Sequence, residues 1–210
     1  VSHIVAAAIV AIFKAHYGVA LLFFYVVTIL AGRARKKTLL VFVVGLVSLV
    51  PLYIFREDIN ALSFDVLPHF EGVASGRSTR EPFWVDDYDV FSKSGEGMFV
   101  GFFGPTLNEA ISGRTLQAIS FTESAVMVAV LLFFLVQRLP TLPAYNLLLL
   151  LFTGFWILFP NYPFGIMNPG SAVRYRSGYL IFLFTVVAIL SSRALYVGWK
   201  SRYESRQLDS

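Results

Sequence analysis

Long apolar runs separated by short charged stretches dominate the chain. Thr38 to Phe55, Ala118 to Gln137, Ala144 to Pro160 and Gly178 to Trp199 each reach the length a helix needs to cross a bilayer, about 17–25 residues. Ile4 to Phe13 is apolar but about half that length, and Tyr17 to Ala31 resumes after Lys14 and His16. Ile4 to Ala31 is either one tilted helix with Lys14 and His16 within the membrane, or two segments with both residues in a turn at its surface. Pro51, near the end of its run, marks a kink that neighbouring helices can accommodate.

The pattern predicts an all-α integral membrane protein with about four to five transmembrane helices and one long extracytoplasmic loop. Residues 1–55 hold the N-terminal membrane helices, 56–117 the acidic loop, 118–199 a three-helix membrane region, and 200–210 a cytoplasmic tail. Residues 96–113 within the loop form an aromatic, apolar piece broken by Gly104-Pro105, too short to span and suited to the interface. Thr106 and Glu109 have capping-box spacing for a short helix there. Gly72 to Arg80 reads as a flexible loop. The chain opens with Val1 almost inside an apolar run, so a piece of a longer protein is expected.

Composition agrees with the pattern. Hydrophobic residues make up 57% of the chain and aromatics 16%, and the mean hydropathy of +0.69 excludes an ordinary soluble domain. The net charge of +4 is not gathered into a basic patch, so nucleic acid is not expected as a partner. Cysteine is absent, which removes disulfides and thiolate metal sites. The three histidines are scattered, and Asp86-Asp87-Tyr88-Asp89 lacks the glycine and terminal glutamate of a calcium hand, so neither metal nor cofactor is expected.

Charge along the chain sets the orientation. Arg33, Arg35, Lys36, Lys37, Arg138, Lys200, Arg202 and Arg206 fall on one face if the runs alternate, and short-loop Lys and Arg mark the cytoplasm. The segment from Arg56 to Gln117 then lies outside, with ten acidic residues against five basic ones, a net charge of −5. Asn161 to Ser177 shares that outer face. Its two prolines and two glycines impose turns, and it ends in Arg174 and Arg176. These arginines either anchor the next helix and pair with the acidic loop, or form a fork for a phosphate or carboxylate. Glu123, about five residues inside its run, is either a structural partner for Arg114 or Arg176 or a functional carboxylate.

The Phe-Gly-Pro piece, the following Ser-Phe-Thr-Glu-Ser at 120–124, and Asn168-Pro169-Gly170-Ser171-Ala172-Val173-Arg174-Tyr175-Arg176 before the last run carry a resemblance. The chain resembles the C-terminal half of bacterial oligosaccharide repeat-unit polymerases and O-antigen-polymerase-like proteins, over most of Thr38 to Trp199. Where that family's outer segment often reads Pro-Phe-Pro-Trp, this chain has Gly104-Pro105-Thr106-Leu107. The resemblance implies metal-independent transfer of a sugar chain from a polyprenyl-pyrophosphate donor to a sugar hydroxyl, at the outer face of the bacterial cytoplasmic membrane. It also implies partners among membrane lipids and other polysaccharide-assembly membrane proteins.

The residue types suit such chemistry. A leaving pyrophosphate needs cations, for which Arg174, Arg176 and Arg114 are candidates, and the acceptor hydroxyl needs a base. Glu109 and Glu123 lead the candidates for that base, beside Asp86, Asp87 and His69. Tyr175, Trp84 and Tyr88 could stack on sugars, although aromatics also collect at membrane interfaces. Two other classes fit the same pattern. A transporter or lipid-linked-sugar flippase would line a path with Lys14, His16 and Glu123, and an accessory subunit would use the acidic loop to dock a partner.

Overall fold

The computed structural model describes residues 15–73, 80, 83–112, 115–167, 170, 172 and 173. Lys14, Arg114, Arg174, Tyr175, Arg176, the run from 178 to 199 and the tail lie outside them, as do the side chains of His16 and His69. The two readings of the N-terminal run therefore also lie outside the described residues.

Every regular element among the described residues is helical. Helix α1 covers Ala15–Arg33 and α2 Lys37–Ile54, followed at once by α3, Arg56–Val73. Then come α4 (Asp89–Ser92), α5 (Ser94–Phe103) and α6 (Leu107–Ser112). The long α7, Thr115–Arg138, passes through a 3-10 turn at Leu139–Thr141 into α8 (Ala144–Leu158), and α9 is the short Tyr162–Ile166.

Helices α1, α2 and α8 pack together as a bundle. On α1 the buried Ala20, Phe23, Val27 and Ala31 recur every three or four residues and so form one stripe. Opposite them, α8 supplies Leu149, Trp156 and Ile157. On α2 the Phe152 ring lies where a side chain at Gly45 would have to go. The indole N–H of Trp156 donates to Ser48 Oγ at 2.9 Å, which joins α8 to α2 through a polar contact inside the bundle.

Two helices, Lys37–Ile54 and Thr115–Gln137, are long and apolar enough to cross a membrane. Only 11% of each apolar window is buried, whereas the core helix of a water-soluble protein would be mostly covered. Leu39, Phe42, Val43, Leu46, Val47 and Val50 of α2 all face outward. Apolar surroundings tolerate that surface and water penalises it.

The stretch expected as an acidic loop is substantially helical. Helix α3 starts with Arg56, places Glu57 and Asp58 in its first turn, where the helix dipole favours them, and packs Ile59 and Phe64 inward. Its apolar positions are interrupted by Glu57, Asp58, Asp65 and Glu71, and for that reason composition alone hid it. The piece at 96–113 is helical over Ser94–Phe103 and Leu107–Ser112. Gly97, Gly101 and Phe102 of α5 are buried, and α5 packs tightly on α9.

A second cluster forms there from Trp84, Val90, Phe159, Tyr162, Ile166 and Met167. Trp84 is 2% exposed, with its ring edge-on to Tyr162 at 5.6 Å, so it serves packing and cannot offer a face to a sugar. The Tyr162 hydroxyl donates to the Val90 carbonyl.

Candidate functional site: an arginine–glutamate clamp beside an apolar groove

Helices α5 and α9 approach so closely because both present glycine. A Cβ on Gly101 would lie 2.9 Å from the Tyr162 carbonyl oxygen, and one on Gly97 would lie 2.6 Å from the Tyr162 ring. Gly165 meets the Gly101 backbone in the same way. Gly97-x-x-x-Gly101, spaced to share one helix face, is the sequence signal for this contact.

This contact brings the end of α5 beside the end of α9, where carbonyls lack helical partners. Arg80 fills the gap. Its Nη1 donates to the carbonyls of Gly165 at 3.0 Å and Ile166 at 2.9 Å, and its backbone N–H donates to Met167 O at 3.0 Å. The other edge of the guanidinium meets Glu109, Nε to Oε1 at 2.5 Å and Nη2 to Oε2 at 2.9 Å. The arginine side chain is 12% exposed and the glutamate 22%.

Glu109 is fixed from its own side as well. Oε2 accepts the Thr106 backbone N–H at 2.6 Å, and Thr106 Oγ1 accepts the Glu109 N–H at 3.4 Å, so the expected capping box forms. Partial burial alone would raise the carboxyl pKa, but the hydrogen bonds and charge of Arg80 and the Thr106 amide outweigh it and hold the group below the ordinary carboxylate range. A carboxylate so engaged is a poor proton acceptor. Its evident work is to orient Arg80 and start α6.

The turn between α5 and α6 contains a cis Gly104-Pro105 peptide. A Cβ at Gly104 would stand 2.5 Å from Arg80 Nη2, so glycine makes room for the guanidinium. The Gly104 carbonyl accepts from Ser124 Oγ at 3.3 Å, which fixes the turn against α7. Glu123, next to Ser124, is exposed on α7.

An open groove of about 450 Å³ runs between α5 and α7 from the same turn. Gly104 and Thr106 line it at the turn, Phe99 and Phe103 on the α5 side, and Phe121 to Leu132 on the α7 side. A smaller apolar cavity, about 300 Å³, lies among Leu52, Ile59, Trp156 and Phe159.

The acidic run at 86–89 is divided in its roles. Asp89 turns inward, accepting from the backbone N–H groups of Val85 at 2.9 Å and Asp86 at 3.0 Å and from Lys93 Nζ at 2.7 Å. The Lys93 ammonium and then the Asp86 and Val85 amides hold its carboxyl far below the usual range. Asp86 and Asp87 remain exposed, and Tyr88 takes a left-handed conformation, φ 64°, with its N–H donating to Asn60 Oδ1 at 2.8 Å. Among the described residues no three histidine, aspartate or glutamate side chains gather where a metal could bind.

Of the residues expected at a site, the structure places Glu109 in the clamp and Glu123 on the exposed surface of α7, next to Ser124. Arg114, Arg174, Tyr175 and Arg176 lie outside the described residues. Arg80, the centre of the arrangement, carried no local sequence signal. Its partner is 29 residues away, and its carbonyl acceptors are 85 and 86 away. No protein-family model, curated protein or solved structure matches the chain.

Proposed function

We propose that the chain is a membrane glycosyltransferase of the polysaccharide-polymerase kind, acting on polyprenyl-pyrophosphate-linked oligosaccharide. One observation carries the reading: the polar Arg80–Glu109 clamp and the apolar groove share Gly104 and Thr106, a boundary suited to a substrate with a charged head and a hydrocarbon tail. In this reading four to five helices cross the cytoplasmic membrane and the clamp faces outward. The chain leaving Met167 toward Arg174 and Arg176 starts at the Arg80 amide, so the clamp sets the origin of that segment. Arg174, Arg176 and Arg114 neutralise the leaving pyrophosphate, Tyr175 meets the sugar, and Glu123 takes the acceptor proton. Glu109 serves by holding Arg80, and the reaction needs no metal.

The test is complementation of a host lacking the intact protein, with surface polysaccharide run on a gel beside a blot for protein abundance. Arg174→Ala and Arg176→Lys should each abolish long polymer at normal abundance, the lysine because it loses the two-point geometry of a guanidinium. Unchanged polymer in both variants rejects the site.

A transporter of lipid-linked sugar is the second reading, favoured by the break between α5 and α6 at Gly104-Pro105. Short helices meeting at a polar turn are common at transport sites. It predicts substrate movement across sealed vesicles without any new glycosidic bond.

A further inference from the structure

We infer that the turn between α1 and α2 holds the head group of an anionic phospholipid drawn from the leaflet at that end of the bundle. Arg33, Arg35, Lys36 and Lys37 place four cations within five residues, and all four are exposed. Among the described residues none of them forms an ion pair. The bundle itself supplies no counter-charge, since α1, α2 and α8 contain no aspartate or glutamate. Four like charges held within at most about 14 Å, the reach of four extended residues, repel one another, and an anion from outside the chain relieves that repulsion.

The cations sit on a built turn. Only Ala34, Arg35 and Lys36 separate the two helices. The Ala34 N–H donates to Leu30 O and the Leu40 N–H to Lys36 O, each at 3.1 Å, so both ends of the turn run straight into helical hydrogen bonding. Lys37 Nζ lies 5.8 Å from the centre of the Tyr145 ring, which brings the first turn of α8 to the same end of the bundle.

The surface beside the cations favours a lipid over a soluble anion or an acidic protein face. Ile29 and Leu30 near the end of α1, and Leu39, Phe42 and Val43 at the start of α2, are between 41% and 55% exposed. Helix α2 is also one of the two long and apolar enough to cross a membrane. Charge followed at once by exposed apolar side chains matches a phospholipid read from phosphate to acyl chain. A free phosphate or an acidic protein would meet the cations and leave the apolar part uncovered. A zwitterionic head group brings its own ammonium against the four cations, so a head group of net negative charge, such as phosphatidylglycerol, is the one retained. Such a site is independent of any transferase chemistry.

The intact protein is purified in detergent and equilibrated with equimolar phosphatidylglycerol and phosphatidylcholine of identical chains, and the lipid that stays bound is counted by native mass spectrometry. Wild type should retain phosphatidylglycerol over phosphatidylcholine by about ten-fold or more, as roughly five-fold for each cation at a membrane surface implies. Arg33→Gln, Arg35→Gln, Lys36→Gln and Lys37→Gln combined should lower that ratio at least about five-fold. Arg33→Lys with Arg35→Lys keeps the charge and should keep the ratio, as should Arg56→Gln, beyond the other end of α2. A combined glutamine variant that retains the wild-type ratio, or Arg56→Gln lowering it as much, overturns the inference. A wild-type ratio near one does so too and leaves the cluster to an acidic protein partner. Purified protein has no direction of insertion, so inverted topology cannot imitate the loss.

Discussion

The Arg80 guanidinium grips the Glu109 carboxylate at two points, Nε to Oε1 at 2.5 Å and Nη2 to Oε2 at 2.9 Å, while its remaining edge caps the carbonyls of Gly165 and Ile166. A single side chain thus joins the start of α6 to the end of α9. Glu109→Gln keeps the shape but leaves a largely buried cation without its counter-charge. The expected cost is about 2–4 kcal/mol, below the figure for a fully buried pair because both groups keep some contact with solvent. Arg80→Lys should cost a similar amount, since an ammonium cannot serve the carboxylate and both carbonyls at once. Thermal unfolding in detergent checks both. A melting temperature within a degree of wild type for either variant would show that the clamp carries no stability.

The clamp also fixes a pH dependence. Glu109 has a folded-state pKa below its ordinary value of 4.5, so its contribution is fully present above that value. It is lost as pH falls through the lower, folded pKa. Wild type should therefore exceed Glu109→Gln in stability by a constant margin from neutral pH down to about 5, and the margin should shrink below about 4. Parallel denaturation series of the two proteins measure it. A margin that narrows between pH 8 and 6 would assign the effect to another group.

Close approach of α5 and α9 makes two glycines of one helix behave in opposite ways. Gly101→Ala puts a methyl 2.9 Å from the Tyr162 carbonyl oxygen, and neither backbone can yield cheaply. A loss of about 1–3 kcal/mol is expected. Gly95→Ala meets nothing within 4 Å and should gain up to about 1 kcal/mol from helix propensity. Unfolding midpoints of both variants decide the matter, and equal effects would mean that α5 and α9 are not packed this way.

The apolar runs as helices were the legible part of the chain, because length and hydropathy are local properties. Thr38 to Phe55 became Lys37–Ile54, Ala118 to Gln137 became Thr115–Arg138, and Ala144 to Pro160 became Ala144–Leu158. The Thr106–Glu109 capping box was also readable, since both partners lie within one turn. Arg80 was not readable, because its role depends on a fold that brings residues 109 and 165–167 to it. Helix α3 escaped for a different reason: Glu57, Asp58, Asp65 and Glu71 interrupt its apolar positions, and only packing of Ile59 and Phe64 shows which side turns inward. Trp84 misled because an aromatic in a polar stretch looks available, whereas Tyr162 and its neighbours cover it.

Asp89 and its two acidic neighbours offer the last contrast. Asp89 Oδ2 gathers two backbone N–H groups and the Lys93 ammonium, and Oδ1 accepts from Ser92 Oγ at 3.2 Å, so one carboxylate shapes the turn from Val85 to Lys93. Lys93 in turn donates to the Phe83 carbonyl at 3.0 Å, which ties the turn to the strip of chain holding Trp84. Asp89→Ala removes both carboxylate acceptors at once and strands the amides of Val85 and Asp86. The segment 83–93 should then open to protease, with cleavage appearing there well before the helices are cut. Asp86→Asn and Asp87→Asn change exposed side chains and should leave the cleavage pattern as in wild type. If the three variants are cut alike, the turn is held by its packing on Tyr162 and Phe159 and not by the Asp89 carboxylate.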